Sequence, residues 1–187
     1  MRWRDVVILW VVCLALGAEY SLVERRPEPP AEAASARPRF LPLRAAEARE
    51  LRLSRGGRSI VSRREAGTWR VVEPPDASIP PDLIGAFTNA LADADEIARL
   101  GTGEADPAAL GFDAGAARVE LRGETGEPVV VTIGGANPTG TAVYARRQDA
   151  DGVVLIGRNV RYYEDLIFQA LSAEREPAAD KSAPVGG

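Results

Sequence analysis

The sequence predicts an α+β domain: a mainly antiparallel sheet with two helices packed on one face. Three observations carry this reading. From Ala48 onward, short runs with apolar residues alternating against polar neighbours are separated by Gly-, Asp- and Asn-rich turns, the pattern of half-buried strands. Two stretches, from Pro81 and from Val160, change to apolar steps of three and four residues. A run of strands closed by a helix therefore occurs twice, which suits a two-layer arrangement.

The chain has 187 residues, 45% hydrophobic and 27% charged, enough for one modest domain with appendages. Residues 1–24 read as a membrane anchor or signal segment. Arg2 and Arg4 precede an unbroken apolar run from Val6 to Ala18, shorter than the roughly 20 residues of a full span and within the core length of a signal peptide. Small residues at Ala15 and Gly17 would permit cleavage. Glu19 near an interface can snorkel while Tyr20, Leu22 and Val23 extend a thin span, and the anchor is the preferred reading. The N-terminal arginines then face the cytoplasm. The expected location is the inner membrane, single-pass, with the following domain on the periplasmic side.

Residues 25–39 form a Pro/Ala-rich linker too poor in large apolar residues to bury a core. The domain itself is expected over residues 40–173. Strands are expected over Ala48 to Arg55, Arg58 to Arg64 and Thr68 to Glu73, joined at Gly56-Gly57 and Ala66-Gly67. A long helix should follow. Leu83, Phe87, Leu91, Ala94 and Ala98 share one face, Ile84, Ile97 and Leu100 widen it, Ser78 caps it, Pro80 and Pro81 start it, and Gly101 stops it. Asp106-Pro107 begins one helical turn closed by Gly111. Four more strands (Ala117 to Arg122, Val129 to Ile133, Thr141 to Arg146, Gly152 to Ile156) lead to a closing helix that buries Tyr163, Leu166, Ile167, Ala170 and Leu171. Residues 174–187 are a Glu-, Pro- and Ala-rich tail, read as disordered.

A shift of 83 positions aligns Arg63-Arg64 with Arg146-Arg147, Val71-Val72 with Val154-Leu155, and Asp82-Leu83-Ile84 with Asp165-Leu166-Ile167. Two strand-strand-strand-helix pseudo-repeats would account for this register.

Composition narrows the chemistry. There is no histidine, and the sole cysteine, Cys13, sits in the N-terminal apolar run. His-based triads, thiol catalysis, disulfides and the usual zinc sites are thereby excluded. Lys181, the only lysine, falls in the tail and leaves no base for a serine. Asp93, Asp95 and Glu96 lack the glycine and ligand spacing of a calcium loop and read as a solvated helix face; Asp149 and Asp151 read as turn formers. The expectation is a non-enzyme with no cofactor and no metal.

Gly134-Gly135-Ala136-Asn137-Pro138-Thr139-Gly140 lacks the Lys-Ser/Thr ending of a phosphate loop and joins two strands, so it reads as a wide hairpin loop. Its exposure makes Asn137 a candidate contact residue. Trp69 and Tyr144 are candidate ligand-stacking residues, weighed against simple packing. Arginines 44, 49, 52, 55, 58, 63, 64 and 70 face only Glu47, Glu50 and Glu65 in the first meander. They read as outward positions of two-faced strands, or else as a surface for anionic headgroups or an acidic partner. Nucleic acid is not expected, because export would separate the chain from it and no aromatics interleave those arginines.

Gly67-Thr68-Trp69-Arg70-Val71 with Pro74, a helix, Leu110-Gly111-Phe112-Asp113, a strand pair ending at Ile133-Gly134, and Thr141-Ala142-Val143-Tyr144-Ala145-Arg146 occur in that order. Over Ala48 to Leu171 the chain thus resembles the bacterial family called domain of unknown function 4340. The resemblance implies a membrane-anchored envelope protein, with some relatives accompanying gliding-motility-type ABC transporter auxiliary subunits, and it implies no catalytic residue. This chain is a single compact copy where many relatives are longer. The expected role is a non-catalytic, membrane-anchored envelope accessory protein acting through protein contacts, its partners including an ABC transporter system. The alternatives are a solute- or glycan-binding periplasmic module, which needs a pocket at Trp69 or Tyr144, and a carboxylate-dependent hydrolase, which needs two converging acids.

Overall fold

The computed structural model describes residue 3 and residues 37–101, 103 and 105–173. The expected anchor or signal segment (1–24), most of the linker and the tail (174–187) lie outside the described residues. No helix among the described residues is long and apolar enough to cross a membrane.

Ten elements follow one another: β1 (Ala48–Arg55), β2 (Arg58–Glu65), β3 (Thr68–Glu73), α1 (Pro81–Ala92), β4 (Ala98–Leu100), β5 (Ala117–Gly123), β6 (Val129–Ala136), β7 (Ala142–Arg147), β8 (Val153–Gly157) and α2 (Asn159–Ala173). The strands form one antiparallel sheet in the order β3-β2-β1-β5-β6-β7-β8-β4. The α+β architecture expected from the pattern is the one observed. Alternation decides the faces. Leu51, Leu53, Ile60, Val119, Leu121, Val131, Ile133, Val143, Ala145, Val154 and Ile156 point to the buried face, where they meet Ile84, Phe87 and Leu91 of α1 and Val160, Ile167, Phe168 and Leu171 of α2 in one core. The 83-residue register places β1 on β6, β2 on β7, β3 on β8 and α1 on α2. The two trios step outward from β5 in opposite directions, so the likeness is one of element order.

The first helix is shorter than the apolar spacing predicts. α1 ends at Ala92, with Asp93 as its C-cap, and Asp95 forms a bridge with Arg39. Beyond it Ile97 N–H donates to Leu155 C=O at 2.8 Å, and Ala98, Arg99 and Leu100 pair with Leu155, Val154 and Val153. These residues form an eighth strand that the sequence reading did not contain. Ile97, expected to widen the buried stripe, is 42% exposed, and Ala98 is exposed as well. The physical reason is competition. Asp-Ala-Asp is a weak helix sequence, and β8 would otherwise present an unpaired row of backbone groups at the sheet edge. The start differs too: Pro80, not Ser78, occupies the N-cap, with no side-chain cap hydrogen bond, while Asp82 lies in the first turn.

The closing helix is centred differently. Val160, Glu164, Ile167, Phe168 and Leu171 are the fully buried positions, Tyr163 and Ala170 pack at their edge, and Leu166 is half-buried. Counting apolar residues alone shifted the stripe, because its centre holds a carboxylate.

Among the described residues, one buried side-chain polar atom stands without a partner. The Ser62 hydroxyl on β2, opposite Leu51 and Val71, is fully buried and makes no hydrogen bond. An unpaired buried hydroxyl costs about 1–3 kcal/mol. Ser62→Ala is therefore expected to stabilise the domain by about 1 kcal/mol in urea unfolding. A loss of stability would show that the hydroxyl is satisfied after all.

Candidate functional site

A cleft opens where β3, at one edge of the sheet, runs beside α1. It measures ≈ 330 Å³ and is lined by Arg64, Thr68, Trp69, Asp82, Gly85, Ala86 and their neighbours. Trp69 forms its floor: the ring is 6% exposed, and a Cβ placed on Gly85 would come within 3.5 Å of Trp69 Cδ1. A larger residue than glycine there would fill the cleft. Among the described residues no strand pairs with the outer side of β3. The Ala66-Gly67 turn has positive φ at both residues (48° and 87°), the two-residue hairpin geometry that makes Glu65 and Thr68 the first hydrogen-bonded pair. By alternation Trp69 and Val71 turn their backbone N–H and C=O away from β2, and Trp69 does so at the cleft.

The three candidate residues do not converge. Trp69 faces the helix side at the β3 edge, whereas Tyr144, opposite Leu155, is half-buried on the other face of the sheet. Asn137 lies in the β6–β7 loop and serves that loop. Its Oδ1 accepts from Thr141 N–H at 2.9 Å and Ala142 N–H at 3.0 Å, and its Nδ2 donates to Thr139 Oγ1 at 2.9 Å and Thr141 Oγ1 at 3.3 Å.

Leu110-Gly111-Phe112-Asp113 has a structural task. The loop is clamped on a bulge of β6, where Gly135 N–H donates to Leu110 C=O at 2.8 Å. The backbones approach so closely that a Cβ on Gly111 would lie 2.5 Å from Gly135 N, and one on Gly134 would lie 2.6 Å from Leu110 O. Phe112 packs over Gly134, and the Arg146 guanidinium sits 4.8 Å from its ring centre. Asp113 Oδ1 accepts Gly115 N–H at 2.8 Å, closing the turn.

The acidic residues are dispersed. Asp93, Asp95 and Glu96 follow α1 instead of sharing a helical face as expected; Asp93 pairs with Arg39 and Glu96 with Arg99. Asp149 pairs with Arg147 at 2.9 Å. No group of acids able to hold a metal ion occurs among the described residues.

Sequence reading missed one cluster. Glu164 on α2 is 0% exposed and meets Arg55 Nη1 at 2.7 Å and Arg161 Nη1 at 3.3 Å; Arg55 also reaches Asp165 at 2.6 Å. The Arg55 and Arg58 guanidinium groups lie 4.6 and 5.1 Å from the centre of the Phe168 ring, and Arg58 also donates to Phe168 C=O. Burial pushes the Glu164 carboxyl above its ordinary value, and Arg161 and Arg55 pull it back. The cluster fastens α2 to the β1–β2 turn. Only the i,i+3 spacing of Arg161 and Glu164 hinted at it in the sequence.

Fold and cleft together define an open-faced α+β domain whose free sheet edge adjoins an aromatic-floored cleft. Residues 69–172 match the family described as "Domain of unknown function (DUF4340)", and the chain belongs to that family. No curated protein and no solved structure matches the chain.

Proposed function

We propose that this chain is a non-catalytic accessory protein of the cell envelope that works by docking protein partners at the β3 edge. The single observation that supports it is the cleft, at which Trp69 turns its backbone N–H and C=O away from β2. An extended segment of a partner laid there would pair with β3 as an added strand and set a small side chain against Trp69 and Gly85. The N-terminal apolar run would hold the chain in the inner membrane with the domain on the periplasmic side, and the family resemblance makes an ABC transporter system the first partner to seek.

Tagged full-length protein purified from its own membranes in mild detergent tests this. The wild type is expected to retain envelope or transporter subunits identified by mass spectrometry, and Ala86→Arg, which lays a long cation across the cleft, is expected to lose them. Equal recovery with both would overturn docking at this edge. The same cleft, at ≈ 330 Å³, falls within the range of ligand sites and favours a second reading as a solute- or glycan-binding module. That reading expects a soluble glycan or solute to raise the unfolding temperature of the wild type and not of Ala86→Arg.

A further inference from the structure

The sheet has a second exposed surface, the face opposite the helices, and its two halves differ. Register places Arg70, Arg63, Glu50 and Arg122 in one row across β3, β2, β1 and β5. Glu73, Val61, Arg52 and Glu120 lie in the next row, and Arg118, Thr132 and Arg146 in a third. All six arginines are exposed. Beyond β5 the face changes to Val130, Thr132, Tyr144 and Leu155.

Two features of the basic half need explanation. Arg63 and Arg70 are direct cross-strand neighbours, an arrangement that costs stability. Of the acids on this face, Glu50 pairs with Arg63 at 3.0 Å and Glu120 with Arg118 at 3.1 Å, while Glu65, opposite Thr68, and Glu73, opposite Val61, lie towards its β3 margin. Arg52, Arg70 and Arg122 consequently have no carboxylate partner among the described residues. By contrast, the inward arginines of the same meander are used internally, Arg55 and Arg58 by α2 and Arg64 by the carbonyls of Gly67 and Ala45. The unpaired set is thus confined to one side, in a chain whose net charge is −4.

We infer that this basic half-face, centred on Arg52, Arg70 and Arg122, docks on the surface of an anionic phospholipid bilayer. It rests on the membrane location proposed above. Four adjacent strands present it as an open surface roughly 15 Å wide, suited to several headgroups at once. Its guanidinium groups can each take a phosphate in a two-point contact. No aromatic side chain stands in the rows beside Arg52, Arg70 and Arg122 to stack a nucleic-acid base. Each arginine near such a surface changes the docked-to-undocked ratio by roughly fivefold, so the three unpaired ones together supply about a hundredfold. That is weak for a free domain and effective for a tethered one.

The test uses the full chain with Cys13→Ser and Ser59→Cys, labelled at position 59 on this face. It is reconstituted with neutral phosphatidylcholine vesicles and with vesicles containing phosphatidylglycerol, each carrying an acceptor dye at the headgroup layer. Flotation with the neutral vesicles reads the N-terminal anchor alone. Energy transfer reads whether the face lies down. Transfer is expected to be higher on anionic vesicles, to fall as salt rises from 50 mM to 500 mM, and to drop to the neutral-vesicle level in Arg52→Glu/Arg70→Glu/Arg122→Glu. The corresponding Gln variant, which adds no acid, should give an intermediate value. Flotation without any anionic increase in transfer would leave the anchor reading standing and overturn this one. So would an increase that survives in both triple variants, or duplex DNA binding that the Glu variant loses while vesicle transfer stays unchanged.

Discussion

Gly111→Ala is expected to destabilise the domain by about 3 kcal/mol or more, among the largest effects of any single methyl group in this chain. Two independent costs combine at this position. Gly111 has φ +75°, a backbone conformation that costs an L-residue about 1–2 kcal/mol. Its added Cβ would lie 2.5 Å from Gly135 N and 2.8 Å from Gly135 Cα, so the clamp of the loop on β6 would have to open. Opening breaks the Leu110–Gly135 hydrogen bond and lifts Phe112 from Gly134. Gly140→Ala is the matched control, because Gly140 has φ +67° but nothing within 4 Å of the added methyl. It should cost only about 1–2 kcal/mol. Urea midpoints of the two variants decide the matter: if Gly111→Ala unfolds no earlier than Gly140→Ala, the close backbone approach is not what holds this loop.

Arg55→Ala should cost about 3 kcal/mol at neutral pH, because it removes the closest partner of a fully buried carboxylate. The change also takes a guanidinium from the Phe168 ring and a partner from Asp165. The penalty should shrink in acid, where Glu164 takes up a proton and no longer needs its counter-charge. Glu164→Gln behaves differently. Burial raises the folded-state value of Glu164, so this residue's contribution to stability is fully present below the unfolded value of about 4.3 and is lost as pH rises through the folded value. Glutamine keeps the shape without the charge. Relative to the wild type, Glu164→Gln should therefore gain stability as pH rises from about 4 towards neutral, and it should recover part of the Arg55→Ala loss in the double variant. A flat difference between Glu164→Gln and wild type across that range would falsify the assignment of Glu164 as the titrating group.

These two sites differ in how far the sequence revealed them. The string Leu110-Gly111-Phe112-Asp113 stood out as a motif, yet its partner glycines at 134 and 135 read as part of a wide hairpin loop. Nothing local says that two backbones will meet there; the contact joins positions more than twenty residues apart in the chain. Glu164 was invisible for the opposite reason. A glutamate among apolar residues counts as solvent-facing until a specific arginine, from a turn over one hundred residues earlier, is brought alongside it. Trp69 was a candidate from the sequence alone, whereas the cleft above it depends on Gly85 of α1 being the residue that faces the ring.

The sequence by itself determined the class of fold, because alternation over two residues and steps of three or four reflect backbone geometry that local chemistry sets. Among the described residues it placed seven of the eight strands within a few residues, and the starts of both helices. It also settled the chemistry that an absence of histidine and of a cysteine in the domain excludes. Only the tertiary structure decided where α1 stops. Residues 97–100 carry a helical apolar period, and they become a strand because β8 offers unpaired backbone groups that a short segment can satisfy. It likewise decided which arginines serve α2 and which face outward unpaired. That division follows from strand register, and register is fixed by the whole buried face acting together.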